Sequence, residues 1–234
     1  MRRLNGHIDP PLKPPRAVFF DWDGTLVDSL AFLTKIHNAA RQSLGISPEL
    51  TKEEFHPYLG KPREIIFHEL YGDKAEQGKD AFAHYYHANH LQDITLIDGA
   101  VDLLDFFTAQ NINMGVVSNK RGDFLRLEIA HLQWDKYFSS RIVGSGDTKA
   151  DKPSAVPLEY GISLLDNEIE KEAIWYIGDT KIDLHCANNA KVIGILYCGE
   201  VSNFSADHGV NISCSQQFCI KKYAEIPPFL LQTL

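Results

Sequence analysis

The sequence has no apolar run long enough to cross a bilayer, so no membrane segment is expected. It has only four cysteines, Cys186, Cys198, Cys214 and Cys219. None belongs to a CxxC pair and the spacings match no zinc pattern, so reduced thiols are expected. It also lacks a basic excess: 23 Lys and Arg face 31 Asp and Glu, a formal net charge of -8. A nucleic-acid polymer, whose neutralisation needs clustered cations, is therefore a poor fit as partner. A small anion is not excluded, because one local pocket can oppose the global sign. The N-terminal MRRLNGHIDPPLKPP lacks the apolar core of a secretory signal. A cytoplasmic location is expected, and the sequons at Asn203 and Asn211 are read as chance matches. The four prolines of that segment predict an extended lead-in over residues 1–16.

Short β-branched and aromatic runs are present. Ala17–Phe20, Met114–Ser118, Arg141–Gly144, Ala173–Ile177 and Val192–Tyr197 read as buried parallel strands, with Val210–Ile212 a weaker one. Helical periods lie between them: Val101, Leu104 and Phe106 or Phe107 share a face, as do Leu125, Ile129 and Leu132. Alternation of strand and helix predicts a doubly wound α/β sheet with right-handed crossovers. Residues 29–97 break the rhythm. Leu33, Ile36, Ala40 and Leu44 form a helical stripe ended by Gly45, and Thr51–Leu59, Arg63–Tyr71 and Lys74–Leu91 also read as helices. The expected organisation is an α/β core, 17–28 and 98–234, interrupted by an all-helical cap, 29–97.

Ligands of open α/β sheets bind beyond the carboxyl ends of the strands. The first strand ends in Asp21-Trp22-Asp23-Gly24-Thr25, the second in Ser118-Asn119-Lys120, and a later one in Gly178-Asp179-Thr180-Lys181-Ile182-Asp183. Lys152-Pro153 follows the Arg141–Gly144 run and is expected to open a helix. Two carboxylates one residue apart repel unless something positive sits with them. A magnesium ion meets that need: Asp21 and Asp179 can supply carboxylate oxygens, and a backbone carbonyl in the Asp23 turn another. Gly24 frees the backbone for a sharp turn. Around a phosphomonoester, Asp21 can attack phosphorus and Asp23 can protonate the leaving alkoxide and then activate water. Ser118 can donate to a phosphoryl oxygen, and Lys152 can offset its charge.

DWDGTLVDS, VVSNK, Lys152-Pro153 and IGDTKID resemble, in order and strand-end context, the four signature motifs of the haloacid dehalogenase-like superfamily. The resemblance implies a Rossmann-like core with a helical cap inserted after the first motif. It implies Asp21 as nucleophile, Asp23 as general acid/base, Ser118 and Lys152 as phosphate ligands, and magnesium held by Asp21, Asp23 and Asp179. Asn119 then neighbours the phosphate site, and Gly24, Thr25 and Asp183 support it. The helical cap and the Asp98-Gly99 return to the core are similar to the phosphoglycolate phosphatases. Asp23 argues against dehalogenases, which lack the second acid, and against phosphonate-cleaving relatives, which replace it with a small residue.

The expected activity is hydrolysis of a small phosphorylated metabolite, phosphoglycolate first. A phosphosugar mutase, a 5′-nucleotidase and a non-catalytic phosphometabolite-binding regulator remain as alternatives. Lys61 or Arg63, in Gly60-Lys61-Pro62-Arg63, can meet a substrate carboxylate or stand as solvated charges. His84, His87 and His90 read as a wet helix face rather than a soft-metal site. Trp22 packs or shapes the pocket entrance. A calcium loop is excluded because Gly24 arrives too early and Phe32 stands where a closing Glu belongs. Gly144-Ser145-Gly146 lacks the third glycine of a dinucleotide fingerprint.

Overall fold

A computed structural model describes residues 2–3, 12–58, 61, 63–199 and 217–231. Val210–Ile212, Cys214, both sequons, and Gly60 and Pro62 lie outside the described residues. The strands among the described residues are β1 (Arg2–Arg3), β2 (Ala17–Phe20), β3 (Asn113–Arg121), β4 (Ile142–Ser145), β5 (Ile174–Gly178), β6 (Ile193–Tyr197) and β7 (Gln217–Ile220). They form one sheet in the order β1-β7-β6-β5-β2-β3-β4. Neighbours from β7 to β4 are parallel, and β1 runs antiparallel to β7. This is the doubly wound, Rossmann-like α/β sheet the sequence predicts.

Its central strands are continuous apolar runs because helices cover both faces. All four residues of β2 are fully buried. Phe19 joins Val117, Val143, Ile174 and Tyr176 on one side of the sheet. Phe20, one residue on, meets Phe107 with ring centroids 6.2 Å apart, as an alternating strand requires. Phe107 belongs to the helix Ala100–Ala109, whose buried residues are Ala100, Leu103, Leu104 and Phe107. That stripe includes Leu103 rather than the expected Val101, because spacings of three and four align 100, 103, 104 and 107.

The order of the sheet reverses at β2. From β2 the chain steps to β3 and β4, then returns to β2's other edge as β5. Asp21 continues beside β5 through its N–H, which donates to the Ile177 carbonyl at 2.8 Å. The loops after β2 and β5 therefore leave from the topological switch point, where such sheets bind ligands.

Two details differ from expectation. Arg2–Arg3 adds a strand where an extended lead-in is predicted; an edge strand is made by main-chain pairing and carries no apolar signature. The helix after Lys152 begins at Val156, with proline in its first turn at Pro157 and not at Pro153. β6 and β7 also bring Cys198 and Cys219 together, with Sγ atoms 2.7 Å apart, although 21 positions separate them. Cys198 shares a face with Leu196 two residues before it, and Leu196 pairs with Cys219.

The chain divides into two compact units, Met1–Leu26 with Leu96–Leu234, and Val27–Thr95. The second is built from the helices Leu30–Ser43, Lys52–Phe55, Arg63–Tyr71 and Ala75–Asn89. Thr51 starts the short Lys52–Phe55 helix through reciprocal bonds with Glu54, at 2.8 and 3.2 Å. Ala40, Phe55, Phe67, Leu70 and Tyr71 form the unit's core. His37 lies among the Phe55, Phe67, Tyr71 and Phe82 rings, its Nδ1 2.9 Å from the Tyr71 hydroxyl. Burial, reinforced by Arg41, pulls its pKa down to about 3.

Folding then opposes proton uptake by His37. Stability is full above the unfolded value near 6.5 and is lost as pH falls below it. At pH 5 the penalty is about 2 kcal/mol. Urea unfolding of the parent and of His37→Leu should show their stability difference changing by about that much between pH 7 and pH 5. A constant difference would mean that His37 titrates freely.

His84 and His87 are exposed, whereas His90 is buried and stacks on Tyr86 with centroids 5.4 Å apart. The wet-face reading thus holds for two of the three.

Candidate active site

Asp21 is the first residue past β2 and is 7% exposed. Asp179 is the first past β5, and Asp183 lies in the first turn of the helix Lys181–Ala190. Each offers an oxygen within 4.8 Å of the others. Lys152, also buried, places its Nζ 2.7 Å from Asp21 Oδ1 and 2.7 Å from Asp183 Oδ1. Three distant stretches of chain thus meet at one end of the sheet.

Three carboxylates against one ammonium leave two negative charges unbalanced. Burial pushes Asp21 up to about 6; Lys152 opposes the shift and Asp183 adds to it. Burial, then Asp183 and Asp21, also raises Asp179 well above the usual carboxylate range. Burial works against the charge of Lys152, yet Asp183 and Asp21 more than offset it and hold the ammonium protonated.

The three acids are not equivalent. Asp183 Oδ1 accepts from Lys152 and lies 3.2 Å from the Tyr176 hydroxyl. Its Oδ2 accepts from the Thr180 N–H and hydroxyl at 3.0 and 2.6 Å. Both oxygens are committed, so Asp183 fixes Lys152 and the start of its own helix. Asp21 Oδ1 is buried and its one neighbour of opposite charge is the Lys152 ammonium at 2.7 Å, which it shares with Asp183. Asp179 accepts from the Thr25 hydroxyl at 3.1 Å through Oδ1 only. A buried carboxylate that shares its single ammonium with another acid, a second acid held by one bond, and an excess of acids over cations fit a hard divalent cation.

Gly24 makes that approach possible. Its φ is +79°, and a Cβ built there would lie 2.2 Å from Asp179 Oδ2. Gly24→Ala should displace Asp179 and strain the turn. We expect activity to fall about 10²-fold and stability by about 1 kcal/mol or more. Steady-state kinetics and thermal melting check this; parent-like values in both would show that the loop relaxes freely. Thr25 is fully buried, and its carbonyl accepts from the Tyr223 hydroxyl at 2.5 Å, which ties the loop to the C-terminal part of the chain.

Ser118 is buried within β3, where the regular pairing with β4 breaks after Val117, and its Oγ accepts from the Lys120 N–H at 3.2 Å. Asn119, expected beside phosphate, is otherwise engaged. Its amide donates to the Lys152 carbonyl at 3.0 Å and accepts from the Lys152 N–H at 2.9 Å. It clamps the main chain of Lys152 and so sets where the ammonium emerges. Asp23 stands one residue beyond the buried Trp22, with its Oδ1 2.9 Å from Lys120 Nζ.

Lys61 and Arg63 belong to the other unit. Lys61 pairs with Glu69 at 2.7 Å and lies over the Tyr58 ring, whereas Arg63 is exposed over Phe67.

Sequence reasoning passed over roles for Lys120 and Glu128; of the two readings of Trp22, packing is the one its full burial matches. Trp22 is fully buried, donates from Nε1 to Glu128 Oε2 at 2.7 Å, and meets Trp134 edge-on. Glu128 was visible as an acid on the Leu125–Ile129 face of its helix, where only a paired charge is tolerated.

The haloacid dehalogenase-like hydrolase family model matches residues 18–196. A phosphoglycolate phosphatase of Photorhabdus laumondii is 26% identical over 219 residues, 89% of each chain. The pyrophosphatase PpaX of Listeria innocua is 28% identical over 177 residues, 75% of this chain and 80% of that one. A solved structure of a predicted phosphoglycolate phosphatase from Haemophilus somnus has a TM-score of 0.77 at 20% identity. It covers 95% of this chain and 100% of that one, a likeness of fold.

Proposed function

The chain belongs to the haloacid dehalogenase-like hydrolases, and on that premise we propose that it is a magnesium-dependent phosphatase acting on a small phosphomonoester through an aspartyl phosphate. One observation carries the reading: Asp21, Asp179 and Asp183 converge at the switch point around the single buried ammonium of Lys152. Asp21, Asp179 and the main-chain carbonyl of Asp23 are the groups that would hold the cation. When bound, magnesium draws charge from the phosphoryl oxygens and lets one anion approach another.

The remaining roles belong to side chains. Asp21 attacks phosphorus and becomes the aspartyl phosphate. Asp23 donates a proton to the leaving oxygen and then accepts one from the hydrolytic water. Lys152, fixed by Asp183 and by the Asn119 clamp, opposes charge on the transferred group, and the Ser118 hydroxyl donates to it. Phosphoglycolate is the leading substrate, because a relative of that name aligns over 89% of both chains. Pyrophosphate is the second reading, supported by the Listeria relative.

The test is phosphate release from phosphoglycolate, pyrophosphate, hexose phosphates and nucleoside monophosphates, with and without EDTA. The expected result is EDTA-sensitive release with phosphoglycolate preferred. Isomerised sugar phosphate without free phosphate would indicate a mutase. Preference for nucleoside monophosphates would indicate a nucleotidase, and binding without turnover a regulator. No helix among the described residues is long and apolar enough to cross a membrane.

A further inference from the structure

Behind the candidate acid lies a second charged cluster that the proposed chemistry does not use. Lys120 Nζ is 2.9 Å from Asp23 Oδ1 and 2.7 Å from Glu128 Oε2. That same Glu128 oxygen accepts from Trp22 Nε1 at 2.7 Å. The Glu128 side chain is 2% exposed and that of Lys120 9%, while Asp23 remains 28% exposed. The supports are elements of the α/β core. Lys120 sits in the extension of β3 beyond Ser118, Glu128 on the helix Gly122–His131, and Trp22 between the two aspartates.

A carboxylate as deeply buried as Glu128 is costly to keep charged, and a well-packed apolar residue would serve stability equally or better. The ammonium that compensates it has a second carboxylate within reach, and that carboxylate is Asp23. Glu128 and Trp22 therefore fix Lys120, and Lys120 fixes one oxygen of Asp23. Asp23 Oδ2 has no partner among the described residues.

We propose that Lys120, anchored by Glu128 and Trp22, is a positioning residue that holds Asp23 Oδ1 so that Oδ2 carries the proton to the leaving group. The inference rests on the phosphatase reading. It adds to that reading which reaction step this cluster serves. Proton donation matters in proportion to the basicity of the leaving oxygen. An alkoxide, as from phosphoglycolate, needs the proton; a nitrophenolate leaves without it. A general loss of structure would not discriminate between them.

The experiment compares kcat/KM, which reports the steps up to departure of the leaving group, for phosphoglycolate and p-nitrophenyl phosphate. The proteins are the parent, Lys120→Met, Lys120→Arg, and the double variant Lys120→Met/Glu128→Gln. The double variant removes both charges and so avoids leaving Glu128 buried alone. For Lys120→Met and the double variant we expect a fall of about 10²-fold with phosphoglycolate, at the low end of what general acid catalysis supplies. With the aryl ester the change should stay within about threefold. Lys120→Arg should recover part of the loss. Equal losses on both esters, or none on either, would overturn the positioning role while leaving the phosphatase reading in place. A parent protein that releases phosphate from neither ester would overturn both.

Discussion

Asp21→Asn should abolish turnover while leaving the chain folded. An amide is a poor nucleophile toward phosphorus, and loss of the attacking group costs on the order of 10⁴-fold or more in enzymes that use one. The fold should not suffer, because Asn has nearly the same shape and Lys152 keeps Asp183 as partner at 2.7 Å. Stability should even rise in the absence of divalent cation. A carboxyl whose folded pKa is raised from 3.8 to about 6 destabilises the fold progressively as pH rises through that window. The penalty is complete above pH 6, at up to about 3 kcal/mol, and the neutral amide removes it. Phosphate release and thermal melting in EDTA at pH 7 measure both effects. Substantial residual turnover would shift the nucleophile to another group.

Lys152→Met should give the largest loss of stability. The ammonium lies buried between Asp21 and Asp183, and removing it strands buried negative charge. Breaking such a pair costs about 3–5 kcal/mol. Lys152 is the main group holding the Asp21 pKa down; without it, burial, Asp183 and Asp23 all raise it. The deficit should therefore be greatest at neutral pH and shrink as acid protonates the carboxylates. Urea unfolding at pH 7 and pH 5 should show the variant approaching the parent at the lower pH. An equal deficit at both would show that lost packing of the lysine stem dominates. Activity should vanish at either pH, because the same ammonium opposes charge on the transferred group.

The strands bearing the site were legible because buried parallel strands are written as unbroken apolar runs. The polar residue at the end of each run marks where chemistry can begin: Asp21 and Asp179 stand just past their strands, and Ser118 where the regular pairing of β3 with β4 breaks. Asp183 and Lys152 stood out through motif order. Their mutual contact did not, because it depends on how the loop after β4 meets the loop after β5. Asn119 shows the limit: its neighbourhood was readable, but the clamp on Lys152 is made by two main-chain atoms that leave no mark on composition. The edge strand β1 was missed because main-chain pairing defines it, and β7 because its alternating burial rests on only two residues, Phe218 and Ile220. Lys120 was hidden for a different reason. It is an ordinary lysine until Glu128, eight residues later, proves to be buried.

The most direct test of the account is to trap the covalent intermediate. The protein is mixed with magnesium and phosphoglycolate, quenched in acid within the first turnovers, digested and analysed by mass spectrometry for the added phosphoryl group. The account predicts one labile acyl phosphate, on the peptide containing Asp21, absent from Asp21→Asn and longer-lived in Asp23→Asn. Phosphate release with no modified peptide in either variant or parent, or with the phosphoryl group on a residue other than Asp21, would contradict it.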